Sequence, residues 1–253
     1  MDRLDSLLVK KGLVSSRTRG EYEIKNGNVL VNGKVITKPS TKFNEDVIIV
    51  INNKFDYVSK GALKLLKAID TFNINLKDKV MLDIGSSTGG FSDVALRNDI
   101  KKIIAVDVGT DQFKLNDPRI ELHEGTDIRN FNIKEIIDVV TIDVSFISVT
   151  KIINKLEEIN PKEIVLLIKP QFECGKDIAD KYKGIPRNKE VHFNVIENII
   201  NEFKNINYNI QGLTYSPITG GSGNIEYLGY FTKDNIKEID INEIINEAFK
   251  NFK

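Results

Sequence analysis

With a single cysteine, Cys174, this 253-residue chain cannot close an internal disulfide, which suits a reducing cytosol and a cytoplasmic location. Two histidines, His123 and His192, and that one thiol are too few for a Cys/His zinc site, so no metal is expected. The absence of a G-x-S-x-G elbow disfavours a serine hydrolase. No window reaches about 18 uninterrupted apolar residues, so no membrane span is expected. The first 13 residues carry acids and lack both a long apolar core and a small-residue cleavage site, unlike a signal peptide. Internal repeats and low-complexity tracts are also absent.

Charge of either sign is not in excess, with 36 Lys/Arg against 36 Asp/Glu, yet it is unevenly spread. Residues 1–42 hold nine basic residues against four acids, Asp2, Asp5, Glu21 and Glu23. A head of about +5 therefore precedes a body of about −5. Such a head suits docking to a polyanion; a solvated charged surface is the plainer alternative.

Within the head, Leu4, Leu7 and Leu8 recur at helical spacing up to Gly12, a C-cap signal. Ser15 or Ser16 can cap a second helix carrying Arg17, Arg19, Tyr22 and Ile24. Residues 29–31, the Asn32-Gly33 turn and Val35-Ile36 spell a β-hairpin, and residues 47–50 a further strand. These elements predict a small α+β module over residues 1–52, with a linker over 53–59. Residues 60–253 follow a different rhythm. A helix over 60–69, with Ala62, Leu63 and Leu66 on one side, leads into apolar runs at 80–84, 103–106, 139–142 and 164–168. Runs nearly continuous in Val, Ile and Leu fit strands buried on both faces of a parallel sheet, and their alternation with helices predicts a Rossmann-like, doubly wound α/β domain. A helix over 189–203, strands at 210–215 and 225–231 forming a closing hairpin, and a terminal helix over 241–252 complete it.

The first sheet strand runs into Asp83-Ile84-Gly85-Ser86-Ser87-Thr88-Gly89-Gly90-Phe91. Glycines allow a tight turn and close approach to a ligand, and the following helix offers free N–H groups. The spacing is neither the G-x-G-x-x-G of a dinucleotide site nor a Walker loop. An acid, Asp83, precedes it, which suits an ammonium group and would repel a pyrophosphate; that points to the amino-acid end of S-adenosylmethionine. Asp107 ends the second strand, where a carboxylate can accept ribose hydroxyls, and Thr126-Asp127 are placed to border the adenine. Two later strands end in Asp143 and Lys169. In open α/β sheets ligands lie beyond these carboxyl ends, so the pair reads as catalytic, with a structural salt bridge as the alternative.

These residues resemble the TlyA family of ribosomal-RNA 2′-O-methyltransferases, in which an S4-like RNA-binding domain precedes an FtsJ/RrmJ-like methyltransferase domain. The head is similar in Arg3-Leu4-Asp5, Lys11-Gly12-Leu13, Ser16-Arg17, Gly27-Asn28-Val29, Val31-Asn32-Gly33 and Lys38-Pro39-Ser40. The body is similar in residues 57–65 and 83–91, in Asp143-Val144-Ser145-Phe146-Ile147-Ser148, in Lys169-Pro170-Gln171-Phe172-Glu173, and in residues 220–226. Cys174 and Lys176 stand where the family pattern has Ala and Arg, and Arg19-Gly20 is looser than the S4 pattern.

The resemblance implies a Lys-Asp-Lys-Glu tetrad at Lys64, Asp143, Lys169 and Glu226. Lys169 would act on the 2′-hydroxyl as base or electrostatic anchor, Asp143 and Glu226 would orient it, and Lys64 would guide substrate. The cofactor site would comprise Asp83, Gly85, Ser86, Ser87, Thr88, Gly89, Gly90, Phe91, Asp107, Thr126 and Asp127. RNA contacts would fall on Arg3, Lys10, Lys11, Ser16, Arg17, Arg19, Lys25 and Lys38. The implied partner is ribosomal RNA or a ribosomal subunit, with cytidine as target. The short stretch before Arg3 resembles the family type that acts on large-subunit RNA. The rivals are a non-catalytic ribosome-binding or assembly factor, a small-molecule methyltransferase, and a membrane-active haemolysin, a label some relatives carry. No sustained amphipathic membrane segment supports the last. Sequence leaves the oligomeric state open, a monomer included.

Overall fold

The computed structural model describes residues 2–14, 17–25, 27–51 and 57–252. Its contacts divide the chain into Met1–Asp56 and Tyr57–Lys253. In the first unit, β1 (Asp2–Arg3) pairs antiparallel with β4 (Lys42–Phe43), a short ladder that sequence periodicity did not reveal. Helices α1 (Leu4–Lys10) and α2 (Arg17–Lys25) pack together; the capping role expected of Ser15 or Ser16 lies outside the described residues. β2 (Val29–Val31) runs between β3 (Lys34–Val35) and β5 (Ile49–Ile51). Asn32 and Gly33 both take positive φ, 49° and 78°, as a tight two-residue hairpin turn requires. Leu4, Leu8, Ile24, Val29 and Val31 form this unit's own core.

The second unit holds a seven-stranded sheet. Its strands are β6 (Val80–Ile84), β7 (Lys102–Val106), β8 (Ile120–His123), β9 (Val139–Ile142), β10 (Glu163–Ile168), β11 (Asn209–Tyr215) and β12 (Tyr227–Thr232), in the order β11-β12-β10-β9-β6-β7-β8. The five from β6 to β10 are parallel, and β12 is antiparallel to both β10 and β11. The doubly wound sheet with a closing hairpin expected from the apolar runs is thus present. The polar strand β8 is an addition, since its alternation is too weak to read.

Buried residues Leu82, Ile104, Val140 and Leu166 share one core with Leu156 of α5 (Ile153–Ile159), Ile199 of α8 (Lys189–Asn205) and Ile245 of α9 (Ile241–Asn251). Alternate strand residues such as Met81, Ile103 and Val139 are equally buried, as a sheet covered on both faces demands. Helix α3 (Ala62–Phe72) packs on α4 (Gly90–Arg97) and on the hairpin strands. Its buried residues are Ala62, Lys64, Leu65 and Ala68. Leu63 and Leu66, expected to face the core, are only half-buried, because the helix turns Lys64 inward. Two short helices, α6 (Pro170–Glu173) and α7 (Lys176–Lys181), follow β10. No helix among the described residues is long and apolar enough to cross a membrane.

Candidate active site

The strand order reverses at β6: β7 and β8 extend the sheet to one side, β9 and β10 to the other. A crevice opens beyond the carboxyl ends at such a reversal. Gly85 turns the chain there with φ of 83°, and a Cβ at this position would lie 2.6 Å from the Asp143 carbonyl oxygen. Only glycine lets the turn press against the end of β9. Beside it lies a cavity of about 540 Å³ whose walls include Ile84, Gly85, Ser87, Asp107, Thr126 and Asp127. Both Asp107 oxygens are held by backbone donors, Ser87 N–H at 2.7 Å and Gly109 N–H at 2.7 Å, which fixes the carboxylate at the cavity wall. Asp127 is bonded to Arg129 at 2.5 Å and caps the short 3₁₀ turn at Ile128–Asn130.

The turn is not used as evenly as its sequence suggested. Asp83, Ser86, Thr88, Gly89, Gly90 and Phe91 do not line the cavity. Asp83 is fully buried and accepts from Ser92 Oγ at 2.7 Å and Thr141 Oγ1 at 2.8 Å, tying β6 to α4 and β9. Burial pushes its carboxyl up to about 6, against the pull of those two hydroxyls. The expected cavity wall of Asp83 and Asp107 is therefore corrected to Asp107 alone, because Asp83 is spent on partners inside the fold.

A second cavity, of about 530 Å³, is lined by Lys64, Asp143, Lys169 and Glu226 together. It shares Gly85, Ser87, Asp143, Ser145 and Phe146 with the first, so the two adjoin. Lys169 Nζ lies 2.5 Å from Asp143 Oδ1 and donates to Ser145 Oγ at 2.8 Å. Lys64 Nζ donates to Glu226 Oε2 at 2.7 Å, and Gln171 Nε2 donates to Glu226 Oε1 at 3.2 Å. The hold of Glu226 on Lys169 envisaged from sequence is thus replaced by a hold on Lys64, which α3 carries inward to meet it. Glu226 ends the hairpin loop 216–226, closed by Ser216 N–H donating to the Glu226 carbonyl at 2.8 Å. A Cβ on Gly220 would come within 2.6 Å of Glu226 Oε1, so that glycine makes room for the carboxylate.

Lys64, Lys169 and Glu226 are 8%, 6% and 2% exposed. Taking charges out of water costs several kcal/mol per ion, seldom returned as net stability. Two such pairs line one cavity, an arrangement that stability alone does not favour. Among the described residues no group of three or more His, Cys, Asp or Glu is placed to hold a metal ion.

Phe146 falls within the Asp143–Ser148 segment that carries the resemblance, but its backbone conformation was not foreseen. Phe146 is 92% exposed and non-glycine at φ 64°, a conformation that costs about 1–3 kcal/mol. Its ring leans on Phe172, centroids 5.2 Å apart, and borders both cavities. The pattern Val144-Ser145-Phe146-Ile147 reads as ordinary loop, and nothing local announces the backbone twist. His192 is buried rather than catalytic, bonded to Tyr227 Oη at 2.7 Å and to the Pro186 carbonyl at 2.9 Å, and burial lowers its pKa.

In the first unit Asp5 is fully buried and held by Arg3 at 2.7 Å and Arg17 at 3.1 Å, with the Ser6 N–H as a third donor. The arginine contacts hold its carboxyl well below the usual range. Lys10 pairs with Asp2 and Glu45, and Lys25 lies 3.7 Å from Glu21. Lys11 and Lys38 are exposed with no ion pair among the described residues. Ser16 and the Arg19 side chain lie outside the described residues.

Residues 57–233 match the model of the FtsJ-like methyltransferases, and residues 2–49 match the S4 domain. A Bacillus subtilis (strain 168) rRNA methyltransferase candidate, YqxC, is 40% identical, with all of this chain and 95% of that protein covered. The 23S rRNA (cytidine-2′-O)-methyltransferase TlyA of Campylobacter jejuni is 36% identical over 89% of this chain and 98% of its own length. A solved structure from Streptococcus thermophilus, titled as a haemolysin candidate, superposes with a TM-score of 0.74 at 35% identity, covering 99% of this chain and 96% of that one. With a methyltransferase sheet behind an S4 domain and relatives matched along almost their whole length, the chain belongs to the TlyA family of FtsJ-like methyltransferases.

Proposed function

We propose that the protein transfers a methyl group from S-adenosylmethionine to the 2′-hydroxyl of a ribosomal-RNA ribose, a cytidine and in large-subunit RNA. One observation carries the reading: four charged residues far apart in sequence line one cavity, and that cavity adjoins a second one over the glycine turn. The volume, the largely apolar wall and the carboxylate of Asp107 suit an adenosine-bearing cofactor, within the range of about 300–1,000 Å³ usual for small-molecule sites. Gly85, Ser87, Asp107, Thr126 and Asp127 would hold it, with Asp83 bracing the turn from beneath. When bound, S-adenosylmethionine supplies an electrophilic methyl.

The chain's own residues then orient the nucleophile. Lys169, fixed by Asp143 and Ser145, acts on the 2′-oxygen as base or electrostatic anchor: as a free amine it takes the hydroxyl proton itself, and as an ammonium it balances the developing alkoxide while the proton passes to the Asp143 carboxylate or to solvent. Lys64 and Glu226, locked together, line the same cavity and keep the ribose in line. Phe146 presents an apolar face to the nucleobase. Arg3, Arg17, Lys11 and Lys38, with Lys10, Lys25 and Arg19, supply phosphate contacts on folded RNA, which such modules read by shape and 2′-hydroxyls. A protein that acts on ribosomal RNA would work in the cytoplasm.

The deciding experiment incubates ribosomal RNA or subunits with the protein and S-adenosylmethionine and maps new 2′-O-methyl positions. A new methylated cytidine, absent without cofactor, is the expected result. Cofactor binding with no modified nucleoside would instead favour an assembly factor, and release of dye from liposomes by the pure protein would favour the haemolysin reading.

A further inference from the structure

One charged group that the mechanism above does not use lies behind the loop that borders both cavities. Glu173, at the end of α6, is largely shielded from solvent, and burial raises its pKa. Its two oxygens take two donors from the far end of the loop after β9: Oε2 accepts from Ser148 Oγ at 2.6 Å and Oε1 from Val149 N–H at 2.9 Å. Ser148 in turn caps the 3₁₀ turn Val149–Ile152, accepting from the Thr150 N–H. The near end of the same loop is held by Lys169, through Asp143 and Ser145. Between these two anchors stand Phe146 and Ile147. Phe146 carries the left-handed backbone, and its ring rests on Phe172 of α6. Three residues of one short segment, Lys169, Phe172 and Glu173, therefore hold one arch of loop at both ends and at its middle, and Phe146 of that arch borders both cavities.

We propose that Glu173 is a positioning residue for methyl transfer: it pins Ser148 and Val149 so that the Phe146–Ile147 arch stays closed against the substrate while Lys169 acts. This rests on the reading of the site given above. Steady-state methylation of ribosomal RNA by the full chain, paired with calorimetry of S-adenosylmethionine binding and thermal unfolding, tests it. Glu173→Ala is expected to lower kcat about tenfold or more, with KM for RNA and cofactor Kd each within about threefold of wild type and an unchanged binding stoichiometry. Glu173→Gln is expected to recover most of kcat, because its carbonyl can take the Val149 N–H while its amide donates to the Ser148 hydroxyl. A wild-type kcat in Glu173→Ala overturns the role. So does a loss matched by falling cofactor stoichiometry or left unrecovered by Glu173→Gln, which would mark a merely structural residue. Should Glu173→Ala fail to fold, Ser148→Ala removes one anchor only: a kcat lowered about two- to fivefold with an unaltered unfolding temperature supports the role, and an unchanged kcat overturns it. An active wild type with indifferent variants sinks the positioning role alone; an inert wild type sinks the methyltransferase reading and this role together.

Discussion

In the N-terminal unit Lys11 and Lys38 keep their ammonium groups in water, and the buried carboxylate of Asp5 is enclosed by Arg3 and Arg17. In the second unit Lys64 and Lys169 are nearly out of solvent, each closed against a carboxylate on a cavity wall. Under the proposed function the difference tracks the work. Cations that meet a phosphate backbone must be reachable, and each contributes a modest, salt-screened share. Cations that act on a single reacting atom must be fixed in a dry site, where charge is strongly felt and a lost partner is costly. Losses in the first unit should therefore be graded, and losses in the second nearly all-or-none.

The largest expected effect is at Lys169. Lys169→Ala should lower kcat by about 10²–10⁴-fold while cofactor affinity, read by calorimetry, stays nearly intact. Equal loss of both would mean that Lys169 builds the cofactor site instead. Next comes the buried pair. Lys64→Met or Glu226→Leu alone strands a charge and should cost about 3–5 kcal/mol in denaturant unfolding, whereas the double variant should regain most stability and stay inactive. Recovery of activity in the double variant would break the contrast, since the pair would then serve folding only.

A smaller effect concerns Asp83. Its folded pKa of about 6 lies above the unfolded value of about 3.9, so the folded state binds more protons between those values. The Asp83 contribution to stability should then fall as pH rises through roughly 4 to 6, by about 2–3 kcal/mol, so that the difference in unfolding free energy between wild type and Asp83→Asn shrinks over that range. Unfolding curves at several pH values check this. The mildest change is in the first unit. Replacing Lys11 and Lys38 with Gln should weaken RNA binding and reduce the slope of log affinity against log salt by about 1.4–1.8, leaving cofactor affinity untouched. An all-or-none loss there would erase the distinction between the units.

Much of the frame was legible because it is written in local patterns. Continuous Val/Ile/Leu runs, Asn32-Gly33 and the Gly85–Gly90 turn each depend on neighbours a few residues away, and the sheet and the first hairpin follow from them. Asp143 and Lys169 were also accessible, since a charge that ends a buried strand has few places to go. Strands β1 and β8 were not, being too short or too polar to carry a period of two.

By itself, then, the sequence determined which segments become strands and helices, where the turns fall, and that the basic residues gather at one end. Only the tertiary structure decided which charges meet. Glu226 closes on Lys64 across 162 positions, Asp83 turns inward to Ser92 and Thr141, and Phe146 is forced into a left-handed backbone between two clamped ends. The reason is physical: backbone propensity and hydrophobic period are local quantities, whereas the partner of a buried charge is set by which side chains the packed sheet brings within about 3 Å.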